Sequence, residues 1–171
     1  MKKIILFVAF LGLVSCSSDD NGGSVSDGSN VVGNWKPTSL TYDGVSTMSM
    51  QGQTITTNFN AVATDFHDAT VSFHQNGTFS SVGDGYTVDL TMEVMGQEMT
   101  QEMFVESFFA EGTWEVDGNT MIMTNTSSNE PIIYNIVALN ATTMKLSIDN
   151  YTTQMNGGQA TINVDITLTK I

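Results

Sequence analysis

Two histidines and their neighbouring carboxylates are the side chains of this sequence that could do acid–base or metal chemistry. His67 stands between Asp65 and Asp68 in "TDFHDA", and His74 stands in "SFHQNG". An imidazole beside two carboxylates can ligate a metal ion or form an acid–base set. No nucleophile-elbow, zinc-protease or phosphate-loop motif accompanies these residues. Because the plainer interpretation is a pair of loop histidines beside strand starts, we expect no enzyme, no metal site and no cofactor.

Methionine is the second group with possible metal chemistry, since the chain contains 11 of these residues. Thioethers bind Cu(I), and Met92, Met95, Met99 and Met103 are closely spaced. On an extended hairpin, however, Met95 would point away from the face that carries the other three. The alternative to copper is that methionine fills an irregular apolar interior, and we expect this second role.

The single cysteine, Cys16, follows two lysines, the apolar run 4–14 and Ser15. This order is typical of an export signal, and the run is shorter than the ~20 apolar residues of a spanning helix. A lone cysteine also cannot form a disulfide within the chain. "LVSC" (13–16) resembles the lipobox of bacterial lipoproteins, which implies that residues 1–15 are a signal peptide and that Cys16 carries a lipid. The alternative is an ordinary secretory signal with an incidental cysteine.

Residues 16–30 are predicted to be a flexible acidic tether, because "SSDDNGGSVSDGSN" (17–30) has almost no apolar surface to bury. Asp19 and Asp20 resemble the acidic export signal of lipoproteins from Bacteroidota. That resemblance implies an outer-membrane protein that faces the cell exterior; an inward-facing lipoprotein with a polar linker is the alternative.

The charge of the mature chain is strongly negative. Removal of residues 1–15 leaves three lysines against 18 acidic residues, a net charge of −15. Such a surface repels nucleic acid and anionic headgroups and opposes self-association. We therefore expect no nucleic-acid partner, membrane contact only through the lipid, and a monomer. The acidic residues are scattered without a calcium-loop motif and are expected to be solvated.

The remaining residues, 31–171, are long enough for one domain and read almost entirely as strands. Alternating residues rich in Thr, Val, Ile, Met and aromatics predict strands at 33–42, 45–51, 54–60, 70–75, 78–82, 86–95, 98–106, 112–117, 120–125, 132–139, 143–151 and 160–170. A succession of antiparallel hairpins is typical of an up-and-down barrel or a sandwich. We expect the all-β barrel, because closure removes exposed strand edges.

Two short motifs predict hairpins directly. Asn76-Gly77 is the strongest two-residue hairpin signal. A turn at Gly118-Asn119 would place Trp114 opposite Met123 and Val116 opposite Met121, which puts all four side chains on one face.

Three further stretches place Gly-Gln in the middle of an alternating run, at 52–53, 96–97 and 158–159. With Gly96-Gln97 as a two-residue turn, Val94 would face Met99 and Leu90 would face Met103, leaving one apolar and one acidic face. A helix over 97–111 is the alternative, since Glu, Gln and Met favour helices.

The order of motifs adds a resemblance to a known family. "VVGNWKPTSLTYDG" opens the domain with Gly33-x-Trp35, followed by "VSFHQNGTFSS", "GTWEVDGNTMIMT", "YNIVALNATTMKLSI" and "INVDITLTKI". This series resembles the lipocalin-like domain of small lipoproteins from Bacteroidota. The resemblance implies an up-and-down barrel over 31–171 whose closed end is plugged by Trp35. Animal lipocalins place an Arg over this Trp; the domain has no Arg, so we expect Lys170 in its place.

Inward-facing residues of such a barrel either fill a core or line a pocket for an apolar or amphipathic small molecule. The residues that alternation assigns to the interior, apart from Trp35, are Phe73, Val88, Leu90, Trp114, Val116, Met121, Met123, Ile148 and Ile166. The leading hypothesis is a lipid-anchored barrel that binds a small ligand. The alternatives are a surface module with a packed core that contacts a protein or glycan, and a subunit of an envelope complex.

Overall fold

A computed structural model of the chain describes residues 28–50, 52–94, 96–155 and 158–171. Within these ranges the backbone forms eleven antiparallel strands: β1 (Gly33–Met50), β2 (Gln53–Asp65), β3 (Thr70–Phe73), β4 (Thr78–Val82), β5 (Tyr86–Val94), β6 (Gln97–Val105), β7 (Gly112–Asp117), β8 (Thr120–Asn125), β9 (Pro131–Leu139), β10 (Thr143–Met155) and β11 (Gly158–Lys170). No helix of the described residues is long and apolar enough to cross a membrane.

Eight of the strands close a barrel in the order β1-β3-β4-β7-β8-β9-β10-β11, with β11 paired back to β1. β2 and β3 both run antiparallel to β1, so they continue one another in the same direction, and β4 with β5 and β6 with β7 do the same. The chain therefore runs up and down around the barrel as a meander. The expected all-β antiparallel barrel is therefore confirmed. Alternation is the local cause: in β8, Met121 and Met123 are buried and the residues between and beside them are not.

The barrel has two different ends. The closed end is the one at Trp35, where the turns at 74–77, 118–119 and 140–142 lie. At the open end the long strands β1, β2, β5, β6, β10 and β11 continue beyond the short β8–β9 hairpin. Their outer portions form what we call the projecting sheet: 42–50, 53–61, 88–94, 97–103, 149–155 and 158–164, in the order β10-β11-β1-β2-β5-β6.

The projecting sheet has one apolar and one polar face. The face that continues the barrel interior carries Met48, Ile55, Phe59, Leu90, Met92, Met99, Met103 and Ile162. The opposite face carries carboxylates, amides and hydroxyls, including Glu93 opposite Glu98 and a 3.0 Å contact between the hydroxyls of Thr91 and Thr100. Many side chains of the apolar face remain exposed, Met99 to 59%.

Two details of the sequence prediction were wrong. Strands 33–42 and 45–51 form one continuous strand, β1, because Gly44 is part of the ladder and does not end it. A Cβ at Gly44 would lie 2.3 Å from the Thr161 carbonyl oxygen and 2.8 Å from the Phe59 ring, so glycine lets these neighbours approach closely.

The second error is the register of the β5–β6 hairpin. Gln97 is part of β6 and pairs with Val94, so it does not belong to the turn, in which Gly96 has a positive φ. Val94 consequently faces Gln97, and Met92 faces Met99. Because the shift is two residues, each side chain keeps its face. The same shift occurs in the β1–β2 hairpin, where Met50 faces Gln53. By contrast, the predicted pairs Trp114–Met123 and Val116–Met121 are confirmed.

Candidate ligand-binding cavity

Trp35 fills the closed end of the barrel and has no exposed surface. Its indole Nε1 donates a hydrogen bond to the Val31 carbonyl at 2.7 Å, which satisfies the one polar atom of the buried ring. Lys170, the residue paired with Trp35 across the β1–β11 ladder, places its Nζ 5.0 Å from the ring centroid. The expected lysine in place of the family arginine is confirmed, and this contact is a cation–π interaction.

Gly33 is required for this arrangement. Its φ is +138°, and a Cβ at this position would lie 2.5 Å from the Lys170 Cε. Any side chain here would therefore be strained and would displace the lysine from Trp35. Lys170 is fixed further by a 3.1 Å hydrogen bond from its Nζ to the Asn30 carbonyl.

The lower half of the barrel interior is filled. Of the residues assigned to the interior from sequence, Phe73 and Met121 are buried in this half, and Trp114 and Val116 pack against the core. Val88 is also buried, but it lies higher, at the base of the projecting sheet, opposite Ala63 and Met103. The rings of Phe73 and Trp114 meet edge to face at 5.8 Å. Large buried side chains thus fill the barrel interior at this end.

The upper half of the interior contains a cavity of about 440 Å³ that opens at the open end of the barrel. Three of the sequence-assigned residues, Met123, Ile148 and Ile166, line it. The other lining residues are Leu40, Tyr42, Ser107, Phe108, Phe109, Ala110, Asn125, Ile132, Tyr134, Tyr151, Ile162 and Val164. Leu90 lies outside the cavity, on the projecting sheet, opposite Ala61 and Gln101. The barrel is thus filled below and hollow above.

A loop between β6 and β7 forms one wall of the cavity. Phe108 and Phe109 project from it with their ring centroids 4.6 Å apart. Phe108 packs against Tyr86 at 5.6 Å and Phe109 against Tyr134 at 6.2 Å. Ser107 Oγ donates to the Phe109 carbonyl at 2.6 Å, which helps to hold the loop in this shape.

The polar groups of the cavity are mostly tyrosine hydroxyls. The hydroxyl of Tyr42 forms a short hydrogen bond with that of Tyr86. Burial raises the pKa of Tyr42 well above its ordinary range, and the neighbouring Tyr86 adds to the effect. Burial also raises the pKa of Tyr86, against a lowering by its hydrogen bond with Tyr42, and raises that of Tyr134. All three phenols are therefore neutral hydrogen-bonding groups at physiological pH.

Several cavity residues were not assigned from the sequence. Tyr42, Val164 and Ile162 follow the same alternation as Leu40 and Ile166, so extending the pattern along β1 and β11 would have found them. Phe108 and Phe109 are adjacent aromatics between Glu106 and Glu111. Because neighbouring side chains of a regular strand point to opposite faces, such a pair indicates a departure from strand geometry. Sequence patterning alone does not show that this pair turns inward.

Of the histidines and methionines that the structure describes, only Met123 lines the cavity. His67 Nδ1 is 3.4 Å from an Asp65 carboxylate oxygen, and both side chains are exposed. Within the described residues no group of three or more histidine, cysteine or acidic side chains could hold a metal ion. Met92, Met99 and Met103 share the apolar face of the projecting sheet, while Met95 and Cys16 lie outside the described residues.

These features define a class of protein: a small up-and-down β-barrel, plugged by a tryptophan at one end and hollow at the other. The family model of the lipocalin-like domain matches residues 31–146, which is more than half of the chain, and the protein belongs to that family. No curated protein and no solved structure gives a significant match to the chain.

Proposed function

We propose that the protein is a lipid-anchored protein of the cell envelope whose barrel binds a small apolar or amphipathic ligand in the open-end cavity. The observation that carries this proposal is the cavity of about 440 Å³, walled by aliphatic and aromatic side chains in a lipocalin-like barrel. Small-molecule sites usually have volumes of roughly 300–1,000 Å³ and apolar walls with a few polar groups. The proposal includes no catalytic step.

A cavity-filling variant tests ligand binding. Val164→Trp places an indole in the cavity wall, whereas the control Val137→Trp places one on the outer surface of β9, where Val137 is 62% exposed. The probe is N-phenyl-naphthylamine, an uncharged dye that fluoresces in apolar surroundings. We expect Val164→Trp to weaken probe binding at least tenfold, about 1.4 kcal/mol or more, and the control to leave it unchanged.

The contrary result is equal binding by both variants, which would place the dye outside the cavity. Native mass spectrometry of the protein purified from its own host then gives the mass of a natural ligand. A protein that is always recovered without ligand and does not bind the dye would contradict the proposed function.

The lipid anchor is proposed from the sequence around Cys16. Gly28 lies beside Trp114 and Val116, at the closed end. The described chain therefore enters the domain at the end opposite the cavity mouth. Cys16→Ala should release the protein into the soluble fraction, with Ser17→Ala as control; a variant that stays in the membrane would refute the anchor.

Exposure on the outer membrane is proposed from Asp19 and Asp20. In cells that carry Asp19→Asn and Asp20→Asn together, antibody labelling of intact cells should fall while total protein is unchanged. The control is Asp27→Asn, a tether carboxylate away from the cysteine. Unchanged labelling would show that these two residues do not direct export to the outer face.

The projecting sheet favours a second candidate function, a surface module that contacts a protein or glycan. Its exposed apolar face includes Met48, Met99 and Met103. A photo-crosslinking residue at Gln101, which lies on this face, should then form adducts on living cells, while one at Val137 on the barrel wall should not. Adducts in equal yield at both positions would argue against a specific surface.

A further inference from the structure

The cavity wall contains no charged side chain among the described residues. Its polar groups are the hydroxyls of Tyr42, Tyr134, Tyr151 and Ser107 and the amide of Asn125. Ser107 already donates to a loop carbonyl. A bound anion would therefore lose its hydration without gaining a cation, which is costly for a carboxylate.

The charges around the cavity make an anion still less favourable. Lys36 and Lys170 pair across the ladder with residues at the closed end, and Lys145 lies opposite Thr167, also towards that end. Acidic residues, in contrast, lie near the open end: Glu106 and Glu111 flank the aromatic loop, and Asp43 and Asp149 lie on the strands that form its wall. The field at the mouth therefore opposes the entry of a negatively charged ligand.

The hydroxyl pair of Tyr42 and Tyr86 gives the cavity a specific neutral polar site. Two phenols carry two hydroxyl hydrogens, and only one of them lies between the two oxygens. The other hydrogen and the remaining lone pairs can bond a ligand. Tyr42 is part of the cavity wall, so a ligand oxygen can reach the pair there. Such a pair can donate to a carbonyl, or donate to and accept from a hydroxyl.

On the basis of the binding function proposed above, we propose that the ligand is an uncharged lipophile with a hydroxyl or carbonyl oxygen. The Tyr42–Tyr86 pair holds this oxygen by hydrogen bonding, and the cavity discriminates against fatty carboxylates. Selection thus depends on two features of the described residues, a neutral phenol pair at the cavity and the separation of Lys36, Lys145 and Lys170 from the open end.

A displacement series at pH 8 tests the polar site. Bound N-phenyl-naphthylamine is displaced in turn by decanol, methyl octyl ketone and decyl chloride. Decyl chloride has a chain of similar length but is a poor hydrogen-bonding partner. Wild-type protein should prefer decanol to decyl chloride, and Tyr42→Phe combined with Tyr86→Phe should reduce that preference by roughly fivefold, the value of one hydrogen bond. Thr91→Val, which removes a hydroxyl on the polar face of the projecting sheet, away from the cavity, should leave the preference unchanged.

A second series tests the exclusion of anions. Decanoate should displace the dye at least tenfold more weakly than decanol, a difference of about 1.4 kcal/mol. Since carboxylates are intrinsically less lipophilic than alcohols, the deciding comparison is Asn125→Lys, which adds a cation to the cavity wall. This variant should gain affinity for decanoate with little change for decanol, while Val137→Lys on the outer surface should change neither.

The outcomes separate this inference from the function on which it rests. If the dye does not bind to wild-type protein, both fail. If the dye binds but decanoate competes as well as decanol, the ligand-binding function stands and the inference is overturned. An unchanged preference for decanol in the Tyr42 and Tyr86 double variant also overturns it. Dye binding by the double variant shows that its cavity is intact.

Discussion

The closed end and the open end of the barrel are built from the same alternating strands, yet they differ in filling, charge and exposure. At the closed end Trp35, Phe73 and Met121 occupy the interior, and the three lysines within the described ranges lie on this half. At the open end the interior is a cavity of about 440 Å³. The strands continue there into a projecting sheet whose apolar face remains exposed.

This difference shows that alternation specifies which side chains face the interior. It does not specify whether side chains from opposite walls contact one another. In the lower half all eight barrel strands are present, so opposite walls are close and large side chains interdigitate. In the upper half the β8–β9 hairpin ends early, and only one side of the interior has a continuous wall. The inward residues Tyr42, Ile162 and Val164 consequently border a cavity.

The largest effect expected from this comparison is on stability at the closed end. Trp35→Ala should lower the free energy of unfolding by about 3–5 kcal/mol, because it leaves a large void in a filled core. The measurement is urea denaturation. Met99→Ala on the projecting sheet is the control and should cost less than about 0.5 kcal/mol, since Met99 is mostly exposed. Similar losses at the two positions would show that both ends are equally packed.

The next effect is a loss of stability at alkaline pH, caused by three buried or partly buried tyrosines between the two ends. Tyr42, Tyr86 and Tyr134 have raised pKa values in the folded state, so above pH ~10 the unfolded chain loses protons that the folded chain keeps. Their stabilising contribution is complete below that pH and decreases as pH rises beyond it. For each tyrosine, the free energy of unfolding should fall by up to about 1.4 kcal/mol per pH unit in this range.

Urea denaturation between pH 9 and pH 11 measures this slope. Tyr42→Phe should make this slope shallower by the contribution of one proton, up to about 1.4 kcal/mol per pH unit. A free energy of unfolding that stays constant to pH 11 would mean that the tyrosines ionise as readily in the folded protein as in the unfolded chain.

A smaller effect is expected for Gly33→Ala. The backbone at φ +138° is unfavourable for alanine, and the new Cβ would displace Lys170. We expect a loss of about 2 kcal/mol, compared with about 1 kcal/mol for Gly96→Ala, where φ is +75° and no described atom lies within 4 Å. Thermal denaturation of both variants checks the difference. Equal losses would mean that only backbone strain acts at Gly33.

The smallest effect is expected for Lys170→Met, which removes the cation over Trp35 but keeps an apolar chain of similar length. The loss should be about 0.5–1 kcal/mol at this site. Lys145→Met, on the exposed face of β10, is the matched control and should change stability by no more than about 0.5 kcal/mol. A control with the larger loss would contradict the role of Lys170 at the closed end.

The fold was largely predictable because it depends on short-range patterns. The alternation of Met121 and Met123, the turn at Gly118-Asn119 and the opening Gly33-x-Trp35 each specify local geometry, and the structure agrees with all three. The β5–β6 register was not predictable to the residue, because Met92, Val94, Met99 and Met103 give an apolar face in either register. The position of Gly96 within the turn decides between them.

The cavity was less predictable than the barrel, since its shape depends on where strands end relative to one another. Phe108 and Phe109 enter it from an irregular loop, to which no periodicity applies. Likewise, the contact between Tyr42 and Tyr86 joins residues 44 positions apart in the sequence. Whether the interior is filled or hollow follows from such long-range contacts and from the early end of the β8–β9 hairpin.

The most direct test of the central claim, a filled closed end and a ligand-binding open end, uses methionine methyl groups as reporters. Met123 lines the cavity, whereas Met144 is fully buried outside it. In an NMR titration of methyl-labelled protein with N-phenyl-naphthylamine, we predict that the Met123 signal shifts and saturates while the Met144 signal stays in place. A titration that shifts Met144 and leaves Met123 unchanged would contradict this account.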